Sequence, residues 1–88
     1  MLFRSVSQSR YDLSFADLSF ADFRYADLSD ANLSNADLYA ANFRYANLCH
    51  ANLHSVDLCF ANLSYADLSD ADLRSANLRV ADLRSVDL

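Results

Sequence analysis

The chain predicts an all-β solenoid, a four-sided coil in which 88 residues at twenty per turn make about 4 coils. Three observations lead there. A five-residue unit, Ala-Asp/Asn-Leu-x-x, runs without insertion from Asp12 to Leu88. A period of twenty lies over it: Phe3, Phe23 and Phe43; Tyr25, Tyr45 and Tyr65; Arg4, Arg24 and Arg44, with Arg84 two coils further on. Finally, a period of five fits no ordinary element. On an α-helix it advances the central residue by about 140° beyond a full turn, and on a continuous strand it alternates faces.

Each position in the unit has a physical reason. The central residue falls at every fifth position from Phe3 to Leu88 and is Leu except at Phe3, Gln8, Phe23 and Phe43. Two residues before it stands Ala, replaced only by Met1, Val6, Tyr11, Val56 and Val86. Residues two apart on an extended segment share a side, so both point inward and the Asp or Asn between them points out. The two x residues then turn the chain, and four such corners close a square. Residues twenty apart lie above one another, which is why a superperiod exists at all. The third residue of a type II turn favours Gly or Asn. Here that slot holds Phe20, Tyr25, Tyr45, Phe60 and Val80, which resist positive φ, so other turn types are expected.

The motif A(D/N)LXX, carried through nearly the whole chain, resembles the pentapeptide-repeat family. The resemblance implies a right-handed quadrilateral β-helix with the Ala and central positions inside. The first residues depart from it: Gln8 takes a central place and Tyr11 a small inward one. The expected organisation is therefore an irregular start over residues 1–11 and a β-helix over residues 12–88.

At a strand spacing of about 4.8 Å the stack is about 21 Å tall. No apolar run approaches the ~20 residues of a membrane span, and Met1 to Arg10 lack the apolar stretch of a secretory signal; a cytoplasmic protein is expected. The chain stops on a central Leu88 with no capping helix. An uncapped apolar end predicts end-to-end association or a place in a longer protein.

All twelve acids are Asp, and ten stand in the slot before the central residue, where a short polar side chain serves turn hydrogen bonding. The net charge of −5 is thus partly a by-product of the repeat. It is also sided. The face centred on Phe3, Phe23, Phe43, Leu63 and Leu83, here face 1, sums to +2 from Arg4, Arg24, Arg44 and Arg84 against Asp22 and Asp82. Faces 2, 3 and 4, following in chain order, sum to −4, −1 and −2. Face 1 also lies between aromatic corners, with Phe20, Ala40, Phe60 and Val80 leading in and Tyr25, Tyr45 and Tyr65 leading out. Arg, Tyr and Phe are enriched in protein interfaces. Stacked aromatics also simply cover a sheet and brace neighbouring coils.

Candidate chemistry is sparse. Cys49, His50, His54 and Cys59 cluster in sequence, but their spacing matches no zinc pattern, and the coil sets the two cysteines on opposite faces, as exposed thiols of a reducing compartment. A column of Arg10, Asp30, His50 and Asp70 sets His50 between two acids. No nucleophile, base and orienting group assemble, no Gly is present to cradle phosphate, and a smooth prism offers no deep pocket. The expectation is a non-enzymatic structural or protein-interaction module without metal, cofactor, membrane or small-molecule substrate. It would bind a protein partner or a second copy through Phe20, Arg24, Tyr25, Arg44, Tyr45, Phe60 and Tyr65, or stack end to end. The acidic balance argues against single-stranded nucleic acid. The family resemblance implies an alternative, since its quinolone-resistance members imitate duplex DNA and bind type II topoisomerases such as DNA gyrase. Asp17, Asp37 and Asp57 form a column suited to that role; the Arg column and the short stack speak against it.

Overall fold

In a computed structural model, which describes residues 11–88, every Asp/Asn slot pairs in parallel with the slot twenty residues on: Asp12 with Asn32, Asp22 with Asn42, Asn42 with Asn62, and so on to Asp67 with Asp87. Four units therefore complete one coil, and the fold is a quadrilateral β-helix. Strand pairing is confined to this one residue per unit, because the next two residues are already turning. Expectations that fall on Phe3, Arg4, Gln8 and Arg10 lie outside the described residues.

The unit from Ala41 to Tyr45 shows how the backbone is satisfied. The Ala41 N–H closes the turn onto the Leu38 carbonyl at 3.0 Å, the Asn42 N–H donates to Ala21 in the preceding coil at 2.9 Å, and the Phe43 N–H donates to Asn62 in the following coil at 2.7 Å. The Arg44 N–H donates to the unit's own Asn42 Oδ1 at 3.0 Å. The Tyr45 N–H donates to the Ser64 carbonyl at 3.1 Å. All five donors are used, as a backbone packed on both sides requires. The Asn42 bond is general: the slot side chain accepts the N–H two residues on from Asp12 to Asp82. Its reach suits Asp and Asn, and Glu, one methylene longer, is absent from the chain.

One expectation is overturned. Every fifth residue from Phe15 to Ser85 has φ between 57° and 63°. Phe20, Tyr25, Tyr45 and Phe60 stand at 63° and Val80 at 59°, all at the third position of a turn closed from the central carbonyl to the next inward residue. This is the signature of type II. The reason lies between coils: a type II turn flips its middle peptide relative to type I, setting that peptide along the stacking axis. The Phe20 N–H then reaches the Tyr39 carbonyl at 2.8 Å, and the Tyr25 N–H the Arg44 carbonyl at 3.1 Å. A left-handed residue costs about 1–2 kcal/mol. One inter-coil hydrogen bond contributes about 0.5–1.5 kcal/mol, and a stacked ring adds a similar amount, so the conformation is roughly offset by the ladder it permits.

Inside, Leu33, Leu38, Leu48, Leu53, Leu58 and Leu63 are fully buried, with Ala or Val56 beside each. Phe43 is likewise buried and stacks on Phe23, ring centroids 5.0 Å apart and 11° from parallel. Toward the last coil the column emerges: Leu83 is 43% exposed and Leu88 80%.

Candidate interaction face

Because every corner residue has the same backbone angles, identical side chains leave successive coils in the same direction. Tyr25, Tyr45 and Tyr65 therefore form a ladder, with ring centroids 5.2 and 4.8 Å apart and planes within 3° and 13°. All three remain exposed. At the opposite edge of face 1 the small Ala40 sits between Phe20 and Phe60, too short to stack on either. Tyr39, one residue earlier, fills the gap, its ring 5.6 Å from Phe20 and 5.7 Å from Phe60. Sequence reasoning left Tyr39 out of the face. The available signal was an alanine interrupting an aromatic column directly after a tyrosine.

The charge of face 1 is distributed differently from a continuous basic strip. Arg24 folds back on Asp22, Nε to Oδ1 at 2.9 Å and Nη2 to Oδ2 at 2.7 Å. Arg84 does the same to Asp82, at 2.9 and 2.6 Å. The guanidinium hydrogen bonds, with the backbone N–H second, hold both carboxyls down at about 2, and the same bonds raise the two arginines. These side chains neutralise each other in place. Arg44 differs because its slot residue is Asn42. Its guanidinium carbon lies 5.2 Å from the Tyr45 centroid and 5.0 Å from that of Tyr65, and Nη1 donates to Ser64 Oγ at 3.3 Å. Ser64 is fully buried and in turn donates to Asn62 Oδ1 at 2.7 Å.

Among the sequence-predicted residues the fold thus brings together Tyr25, Tyr45, Tyr65 and Arg44 on one edge, and Phe20 with Phe60, through Tyr39, on the other. It ties Arg24 to Asp22. The Cys and His residues do not converge. Cys49 and Cys59 are free thiols two units apart on opposing faces, half-buried rather than exposed; Cys49 Sγ lies 3.3 Å from Ser69 Oγ, whose proton goes to Asp67 Oδ1 at 2.6 Å. His50 Nε2 lies 3.7 Å from Asp70 Oδ2, as the column places it, and His54 Nδ1 pairs with Ser55 Oγ at 3.1 Å. Among the described residues no three His, Cys, Asp or Glu side chains gather as a metal would need, and no helix is long and apolar enough to cross a membrane.

Comparison with known proteins fits this geometry. A comparison with curated proteins gives no match. Among solved structures, HetL, a pentapeptide repeat protein involved in heterocyst differentiation regulation in the cyanobacterium Nostoc sp. strain PCC 7120, is similar with a TM-score of 0.86 and 42% identity, over 88% of this chain and 36% of that one. The Nostoc pentapeptide repeat protein alr5209 is similar at 0.84 and 44%, over 85% of this chain and 62% of that one. Rfr23 from Cyanothece 51142 is similar at 0.53 and 31%, over 90% and 61%. The chain thus spans between about a third and three-fifths of the length of these relatives. A family model described as pentapeptide repeats matches residues 16–54 and 51–88, in eight copies. With the A(D/N)LXX unit, the coil of four units and this match all in agreement, the chain belongs to the pentapeptide-repeat family.

Proposed function

We propose that the chain is a non-enzymatic interaction module that binds a protein partner through face 1 and its two aromatic corners. The observation that supports this reading is the exposure of two ring systems, Tyr25–Tyr45–Tyr65 and Phe20–Tyr39–Phe60, on either side of Arg44. Rigid aromatic side chains offer large contact area at small entropic cost, and Tyr and Arg dominate binding energy in interfaces. The reading is of a cytoplasmic module, where Cys49 and Cys59 stay reduced. Contact with a second copy, at face 1 or end to end where Leu83 and Leu88 emerge, is a special case of it.

The test is site-specific photo-crosslinking in the source cells, with the crosslinker at position 60 or 45 and a control at the exposed Ser75, at the corner between faces 3 and 4. A discrete adduct from positions 60 and 45, absent from position 75, is expected, and its mass tells a second copy from another protein. Equal labelling at all three positions, or none at 60 and 45, would sink the proposal.

A further inference from the structure

We infer that Arg44 is a preformed receptor for a carboxylate of the partner, an acidic side chain next to an aromatic one; this deepens the interaction reading above and rests on it. Arginine pairing on this surface follows a two-residue rule. Among the described residues, Arg24, Arg74 and Arg84 follow Asp22, Asp72 and Asp82 by two positions, and each closes a two-pronged bond onto that acid. The slot carboxylate accepts the backbone N–H with Oδ1 and still has capacity for the guanidinium fork. Arg44 and Arg79 follow Asn42 and Asn77 instead. An asparagine takes the backbone N–H with its single oxygen, and where aspartate has a second oxygen it presents an amide NH2 that repels a guanidinium, so the two-pronged bond cannot form. Neither arginine is in an ion pair among the described residues.

Arg44 and Arg79 then part company. Arg79 is exposed, with no ring beneath it. Arg44 is half-buried, lies against Tyr45 and Tyr65 and is pinned by Ser64. Of the five guanidinium N–H donors one is engaged by Ser64 Oγ, and a carboxylate is the group that accepts two of the others in parallel. Its side-chain entropy is already restricted, so less is lost on binding. The ring systems on either side supply apolar area for an aromatic neighbour of that carboxylate. Arg79, the other arginine without an acid partner, stands on a face that sums to −2, which disfavours such a ligand there.

The experiment is an NMR titration of the full chain, following arginine Nε–H and aromatic signals. The probes are N-acetyl-Asp-Phe-amide and its isostere N-acetyl-Asn-Phe-amide at millimolar concentration, with oligothymidylate as a third. A charge-assisted pair is worth about tenfold or more in affinity. The acidic peptide should therefore give a saturable shift at Arg44 that the Asn peptide reproduces at least about tenfold more weakly. Arg24, Arg79 and Arg84 should stay in place, and Arg44→Gln should abolish the difference between peptides. Arg44→Lys, which keeps charge but loses the fork, should recover only part of it. Equal responses at Arg44 and Arg79 would reduce the effect to general attraction and overturn the inference. Shifts of Tyr45 and Phe60 with both peptides, without response at Arg44, would overturn the carboxylate assignment while leaving the face as a docking surface. Silence at the rings and at Arg44 would count against both. A stronger Arg44 response to oligothymidylate than to the acidic peptide would overturn the inference in favour of nucleic acid.

Discussion

Val80 and Tyr45 share one backbone conformation, φ 59° and 63°, yet the same substitution should act on them with opposite sign. Val80 is β-branched and 70% exposed, and it has no ring of its own to stack on Phe60, twenty residues earlier. Its left-handed angle costs about 1–2 kcal/mol, more than Asn would incur there, since Asn bonds locally in that region. Little burial is lost by the change, so Val80→Asn should stabilise by about 0.5–1 kcal/mol. Tyr45 stacks on two neighbours and carries Arg44. Two aromatic contacts at about 0.5–1.5 kcal/mol each and a cation–π contact of about 0.5–1 kcal/mol exceed the strain, so Tyr45→Asn should destabilise by about 1–2 kcal/mol. Urea unfolding followed by circular dichroism reads both. A solenoid can open from one end, so hydrogen exchange of the Ala81 amide, which closes its turn onto Leu78 at 3.1 Å, reads the Val80 coil locally. Loss of more than about 1 kcal/mol in Val80→Asn, or any gain in Tyr45→Asn, would refute the claim that corners trade backbone strain for side-chain stacking.

Phe43→Ala should cost roughly 3–5 kcal/mol, since Phe43 is fully buried and stacked on Phe23; a loss below about 1 kcal/mol in denaturant unfolding would contradict the dry column. Stability should also depend on acid. The folded-state values of Asp22, Asp72 and Asp82 lie at about 2 against 3.8 in an unperturbed chain, chiefly through their guanidinium partners, and Asp12, Asp17 and Asp67 are lowered chiefly by serine hydroxyls. Depressed carboxyls contribute stability above 3.8 that is lost as pH falls toward about 2. Melting temperature should therefore drop steepest below pH 3.8, and the triple Asp→Asn variant at 22, 72 and 82 should flatten that fall. The protein should leave gyrase supercoiling unaffected at micromolar concentration, because its slot acids are bound into turns and Arg44 presents the wrong sign to a basic saddle; inhibition that disappears on changing Asp17, Asp37 and Asp57 to Asn would reverse the ranking of functions.

The periods of five and twenty determined which residues point inward and which stack, so the buried column and the Phe23–Phe43 and tyrosine stacks were legible from pattern alone. The bonding role of the slot acids was legible too, because the reach of Asp and Asn is a local matter. Corner angles were not. A residue-by-residue preference argues against left-handed Phe and Tyr, and only the hydrogen bond to the next coil, absent from any local reading, outweighs that preference. Tyr39 was missed because columns were read strictly in register, and its ring crosses from one column into the gap left by Ala40. The Arg pairing was within reach of the sequence, since Asp or Asn two residues earlier separates Arg24 and Arg84 from Arg44. Summing formal charge over a face hid it.

The pairing of each slot with the one twenty residues on gives this protein two independent reading frames. Remove residues 51–55, one whole unit, and every leucine downstream still meets the axis, every slot still reaches its own turn, and the interior is unchanged in kind. The exterior, however, rotates by a quarter turn. Tyr65 moves from the tyrosine ladder to the column of Phe20 and Ala40, Phe60 joins Phe15 and Asn35, and Arg84 passes from face 1 to face 4. A five-residue deletion thus keeps the interior, gives up the ring contacts that cross the cut and rewrites the recognition surface in one step, whereas a twenty-residue deletion shortens the rod and keeps every face in alignment. Lineages built on this unit can change partners by slipping phase, without passing through an unfolded sequence.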